Sequence, residues 1–191
     1  MEDLILKRVS EHKEVIENLS GSKETIKKIA ETIIDCYKRD GKLILFGNGG
    51  SCSDSMHLAT EFVSRYYFDR KSLPAIALTD NVSLTAIGND YSFEDIFAKQ
   101  VEGFVRKGDV IIGISTSGNS KNVIKAVAKA KELGGITVAF TGRKGGVLKG
   151  KVDICLSIPS YDTPRIQEGY MLAGHIICEL VEKELFKKWN A

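Results

Sequence analysis

His57 and Glu61 stand four residues apart in the stretch GNGGSCSDSMHLATEF, residues 47–62. On a helix this spacing puts both side chains on one face, roughly 6 Å apart along the axis. One divalent cation can then take an imidazole nitrogen and a carboxylate oxygen together. A His–Glu pair at this spacing is also a common surface hydrogen bond, so it acquires meaning only with partners. The other ligand candidates are Gln167 and His175 in RIQEGYMLAGH, residues 165–175. Eight residues of straight helix span roughly 12 Å. Gln167 and His175 therefore meet one ion only at full reach, on a bent helix, or with a neighbouring subunit completing the site. Glu61 and His175 are also side chains suited to moving protons.

Two other stretches suit an anion. GNGGS (47–51) and STSGNS (115–120) each follow an apolar run and precede a helical pattern. Ser115, Thr116, Ser117 and Ser120 offer four hydroxyls around Gly118. The helix behind them points unpaired N–H groups and a partial positive charge into the loop. Hydroxyls and amides without a lysine suit a sugar phosphate better than a nucleoside triphosphate. GNGGS is not the GxGxxG pattern of dinucleotide-binding proteins. The plainer alternative, a simple helix cap, requires one such residue and not four.

These residues need a scaffold. The 191 residues suit one domain, 1–191, with a helical lead-in over 1–40 and an α/β core over 41–191. Ile5, Val9, His12, Ile16 and Leu19 form a helical seam, and Ile26, Ile29, Ile33 and Tyr37 form another. Gly21 is expected to stop the first helix and Ser22 to cap the second. Five short apolar runs follow: KLILF (42–46), PAIAL (74–78), DVIIGI (109–114), ITVAF (136–140) and DICLSI (153–158). Near-continuous apolar runs separated by helical patterns predict a doubly wound, five-stranded parallel sheet preceded by two N-terminal helices. The last helix is expected to open at Thr163 and Pro164.

A formal net charge of +2 argues against dedicated nucleic-acid binding, and the apolar runs are too short to span a bilayer. The opening MEDLILKRVSEH does not read as a secretory signal. The four cysteines have no zinc or redox spacing and read as reduced thiols, implying a cytoplasmic location. Cys52 offers a thiol nucleophile in the first loop. No histidine neighbours it in sequence, and it reads as a small loop residue.

Taken in order, GNGGSCSDSMHLATEF, AIGND (86–90), GISTSGNS (113–120) and RIQEGYMLAGH resemble the phosphoheptose isomerases, enzymes of the SIS fold acting on sedoheptulose 7-phosphate. The resemblance runs from about residue 40 to the end of the chain. It implies one divalent metal per active site, usually zinc, on His57, Glu61, Gln167 and His175, with Glu61 and His175 as the acid/base pair. It implies sugar-phosphate contacts at Asn48, Gly49, Gly50, Glu61, Asn89, Asp90, Ser115, Thr116, Ser117, Ser120 and Gln167, with Ser51 and Arg65 close by. It further implies a homotetramer with sites at subunit boundaries, supplying heptose for lipopolysaccharide, capsule or other surface glycans. Two positions depart from the family pattern: Tyr170, where many members have histidine, and Ser55, where the loop has alanine. SIS-fold relatives that act as non-catalytic scaffolds in replication initiation lack much of the metal set. A sugar-phosphate sensor would share the loops without needing Glu61 and His175.

Overall fold

A computed structural model describes residues 1–186. The order is α1 (Glu2–Leu19), α2 (Lys23–Lys38), β1 (Leu43–Gly47), α3 (Gly50–Val63), β2 (Ala75–Ala77), α4 (Asn81–Asp90), α5 (Ala98–Phe104), β3 (Val110–Ile114), α6 (Lys121–Glu132), β4 (Ile136–Thr141), β5 (Ile154–Ser157) and α7 (Thr163–Phe186). The strands form one sheet in the order β2-β1-β3-β4-β5, and every pairing is parallel. Each expected strand is present within a residue or two of its apolar run.

Burial explains why the central runs are apolar throughout. Successive side chains of a strand point to opposite faces, and both faces of this sheet are covered. Leu43 and Leu45 join the cluster made with α2, α3 and α7, whereas Ile44 and Phe46 join the one made with α5 and α6. All four are fully buried. At β2, an edge strand, coverage is thinner and Ile76 is 39 % exposed.

The helical lead-in departs from expectation in two respects. Ser22 occupies the N-cap position of α2 but makes no side-chain capping hydrogen bond, because a 3-10 turn over Ser20–Ser22 runs straight into the helix. The seam on α1 is only half used. Leu19 is buried and Ile16 half-buried, with Val15 buried beside them, whereas Ile5 and Val9 are 62 % and 47 % exposed. His12, within that seam, binds Glu168 of α7 through Nδ1 at 2.7 Å. The second seam packs as its spacing predicts, with Ile26, Ile29, Ile33 and Tyr37 all buried.

Chain direction reverses between β1 and β3. After β1 the chain moves outward to β2, and β3 returns to the other side of β1. At such a switch point two strand-to-helix loops part and leave a crevice at the carboxyl ends of the strands. Here these are the loops 48–49 and 115–120. The register pairs Gly47 with Ile114, so the two junctions lie side by side.

Candidate active site

The crevice is braced before it holds anything. Asn48 and Asn122 exchange two amide hydrogen bonds, each Nδ2 donating to the other's Oδ1 at 2.9 Å. This reciprocal pair ties the first loop to the first turn of α6, and Asn122 is 3 % exposed. Asn122 was not singled out by sequence reasoning. Its only signal is its place two residues after Ser120.

In the second loop, Ser115 is buried and its Oγ lies 2.9 Å from Ser120 Oγ and 3.4 Å from Ser117 Oγ. Ser120 is the N-cap of α6, yet its hydroxyl makes no capping bond. The simple-cap alternative therefore does not account for this serine. The loop is held from behind by the 142–148 segment: Gly142 N donates to Thr116 O at 3.0 Å and Leu148 N to Gly118 O at 2.9 Å. The approach is so close that a β-carbon on Gly118 would stand 2.0 Å from the carbonyl oxygen of Gly145.

Along α3 the predicted pair forms. His57 Nε2 lies 3.1 Å from Glu61 Oε1. From α7, His175 brings its Nε2 to 3.2 Å from His57 Nε2. The three ligand atoms all lie within 4.8 Å of one another, a set able to hold a metal ion. Two imidazole nitrogens and a carboxylate oxygen this close together match the donor chemistry of a divalent transition metal such as zinc. Burial, and to a lesser extent His57, hold His175 below its ordinary pKa, against the pull of Glu61. This favours the neutral imidazole that ligation requires.

Gln167 is placed by a different contact. Its amide lies over the first turn of α3, where a β-carbon on Gly50 would stand 2.2 Å from its Nε2. Gly50 precedes His57 by seven residues, roughly 10 Å along the helix. Of the four expected ligands, His57, Glu61 and His175 meet, and Gln167 sits over the start of α3. Beside Gln167 lies a buried polar group. Tyr170, fully buried, shares a 2.8 Å hydrogen bond with Ser51 Oγ. Its hydroxyl also interacts with Asp54 and Gln167. Ser55 Oγ donates to Ser51 O at 2.7 Å. The two positions that depart from the family pattern, Tyr170 and Ser55, therefore both anchor Ser51.

The remaining expected contacts are more exposed. Asn89 and Asp90 close α4 on the exposed surface, where Asn89 Nδ2 donates to Asp90 Oδ1 at 2.9 Å. Arg65 is exposed just beyond α3, and Gly49 is the exposed N-cap of that helix. Cys52 is half-buried, and burial raises its thiol pKa, which does not favour a reactive thiolate.

Parallel sheet, switch-point loops and a hydroxyl-rich helix entry define a SIS-domain protein, and the SIS domain family model matches residues 9–142. The phosphoheptose isomerase of Clostridium acetobutylicum is 57 % identical over 164 residues, covering 85 % of this chain and 84 % of the relative. That of Sulfurimonas denitrificans is 48 % identical over 190 residues, covering 97 % of each. The solved phosphoheptose isomerase of Neisseria gonorrhoeae superposes with a TM-score of 0.91 at 38 % identity, covering 95 % of this chain and 98 % of that one. The chain belongs to the phosphoheptose isomerase family.

Proposed function

We propose that the protein converts sedoheptulose 7-phosphate to D-glycero-D-manno-heptose 7-phosphate and so supplies heptose for surface glycans. The observation that carries this reading is the meeting of His57, Glu61 and His175 on two helices, in a chain so similar to named phosphoheptose isomerases.

The ketose must lose a proton from C1 and gain one at C2, while a proton passes between the two oxygens. In this reading Glu61 removes the C1 proton, giving an enediol, and returns a proton to C2. His175, held neutral, carries the proton between O1 and O2. A zinc ion on His57, Glu61 and His175 would act as a Lewis acid toward the sugar oxygens. Ser115, Thr116, Ser117 and Ser120 hold the phosphate at the entry to α6, with Asn48, Gly49, Gly50 and Ser51 along the facing loop. Asn89, Asp90 and Arg65 complete the sugar contacts. The phosphate anchor fixes the reacting carbons without joining the chemistry.

Gln167 enters as a fourth ligand in the assembled protein. Its seat over Gly50, at the opposite end of α3 from Glu61, and the exposed apolar residues Ile5 and Val9 on α1 support a homotetramer whose subunits share each site. The absence of a helix long and apolar enough to cross a membrane, among the described residues, is compatible with work in the cytoplasm.

The deciding assay is incubation with sedoheptulose 7-phosphate, with and without a metal chelator, for the wild type and Glu61→Gln. Turnover by the wild type, abolished by chelation and by Glu61→Gln, is expected. Tight binding without turnover would replace the enzyme with a sensor. Normal turnover by Glu61→Gln would remove Glu61 as the base.

A further inference from the structure

The C-terminal turn of α3 carries Glu61, and the last carbonyls of a helix have no partner within it. Two of them, Glu61 O and Phe62 O, each accept a hydrogen bond at 2.8 Å from Arg70, from Nη2 and Nη1 respectively. Arg70 Nε donates to Glu182 Oε1 at 2.7 Å, and the two side chains are only 2 % and 1 % exposed. Glu182 also accepts from the backbone N–H groups of Tyr66 at 3.0 Å and Tyr67 at 2.8 Å. It lies on α7 seven residues beyond His175, about two turns along the same helix face. Tyr66, fixed by that bond, sets its ring 6.0 Å from the ring of His175.

We propose that Arg70 and Glu182 are positioning residues for the isomerisation: a buried clasp that sets the α3 end bearing Glu61 against the α7 turn bearing His175. This rests on the reading above that Glu61 and His175 handle the protons. One planar guanidinium reaches both helices at once, a task for its rigid fork of donors and not for a point charge. A cation at the helix C-terminus is also favoured by the dipole. Misplacing a reacting group by about 1 Å costs on the order of 100-fold in rate. The serines that hold the phosphate lie between β3 and α6, outside the clasp.

The test uses Arg70→Lys and Glu182→Gln in the full-length protein, assayed well below each variant's melting temperature. Ile33→Val, a buried α2 substitution that touches no proposed ligand or clasp group by hydrogen bond, serves as the stability control. The expected result is a fall in kcat of about 10- to 100-fold with KM changed less than about threefold. The visible spectrum of the Co²⁺-loaded protein should shift in both clasp variants and not in Ile33→Val. Clasp variants with kcat and Co²⁺ spectrum like the wild type would overturn the proposal, as would a loss of kcat matched by Ile33→Val. Glu61→Gln, run alongside, separates the two readings. If it is inert while the clasp variants behave as wild type, only the clasp fails. If it turns over normally, the assignment of Glu61 fails.

Discussion

Gly118 offers a direct test of the phosphate loop. Its φ is +67°, a left-handed conformation that costs an L-residue roughly 1–2 kcal/mol. A β-carbon would lie 2.0 Å from Gly145 O and 2.5 Å from Gly145 C, both backbone atoms that no rotamer change can move aside. Gly118→Ala must therefore push loop 115–120 away from segment 142–148. Separation breaks the bonds from Leu148 N to Gly118 O and from Val147 N to Asn119 Oδ1, of 2.9 and 3.0 Å. At about 1 kcal/mol each, the total comes to roughly 3–4 kcal/mol. For a chain of this length the melting temperature should fall by about 6–16 °C. The displaced serines must return to bind phosphate, so KM for the sugar phosphate should rise more than about tenfold, about 1.4 kcal/mol of lost binding. Metal binding by the α3–α7 triad should be unchanged. Thermal melts, steady-state kinetics and calorimetric titration with Zn²⁺ measure the three. An unchanged melting temperature would refute the steric argument. A lowered melting temperature with wild-type KM would refute the loop's role as anchor.

Tyr170→Phe removes the buried partner of Ser51 Oγ and should cost about 1–3 kcal/mol. A double-mutant cycle with Ser51→Ala should show a coupling of about 1 kcal/mol, and strict additivity would rule the bond out as a contributor. Glu182 is predicted to make stability depend on acid. Burial alone would raise its pKa, but the N–H groups of Tyr67 and Tyr66 and the Arg70 guanidinium outweigh it and hold the carboxyl below its ordinary 4.5. A depressed folded-state pKa contributes stability above the unfolded value that is lost as pH falls through the folded one. Denaturant titrations from pH 7 downward should therefore show Glu182→Gln less stable at neutral pH and flatter than the wild type below about pH 4.5. Parallel curves would refute this.

Much of this molecule was legible as local pattern. The central strands follow from apolar runs because a strand covered on both faces leaves few positions for a polar residue. The His57–Glu61 pair follows from helical spacing, which needs only the helix to exist. The second seam, Ile26 to Tyr37, packs as its period dictates. In contrast, half of the α1 seam stays exposed, because period identifies an apolar face without saying what covers it.

Partners distant along the chain were legible only in part. His175 joins His57 across 118 residues, a pairing that motif order suggested but that only the packing of α7 on α3 brings about. The same packing leaves Gln167 against Gly50, although it stands on the same helix. Asn122 beneath Asn48, and Glu182 behind Arg70, carry no sequence signal of their own, since an amide or a carboxylate is unremarkable until burial makes its partner obligatory. Sequence alone determined which residues share a helix face or a strand. Tertiary structure decided which faces meet, because contact across the sheet and between helices depends on packing that no local period encodes.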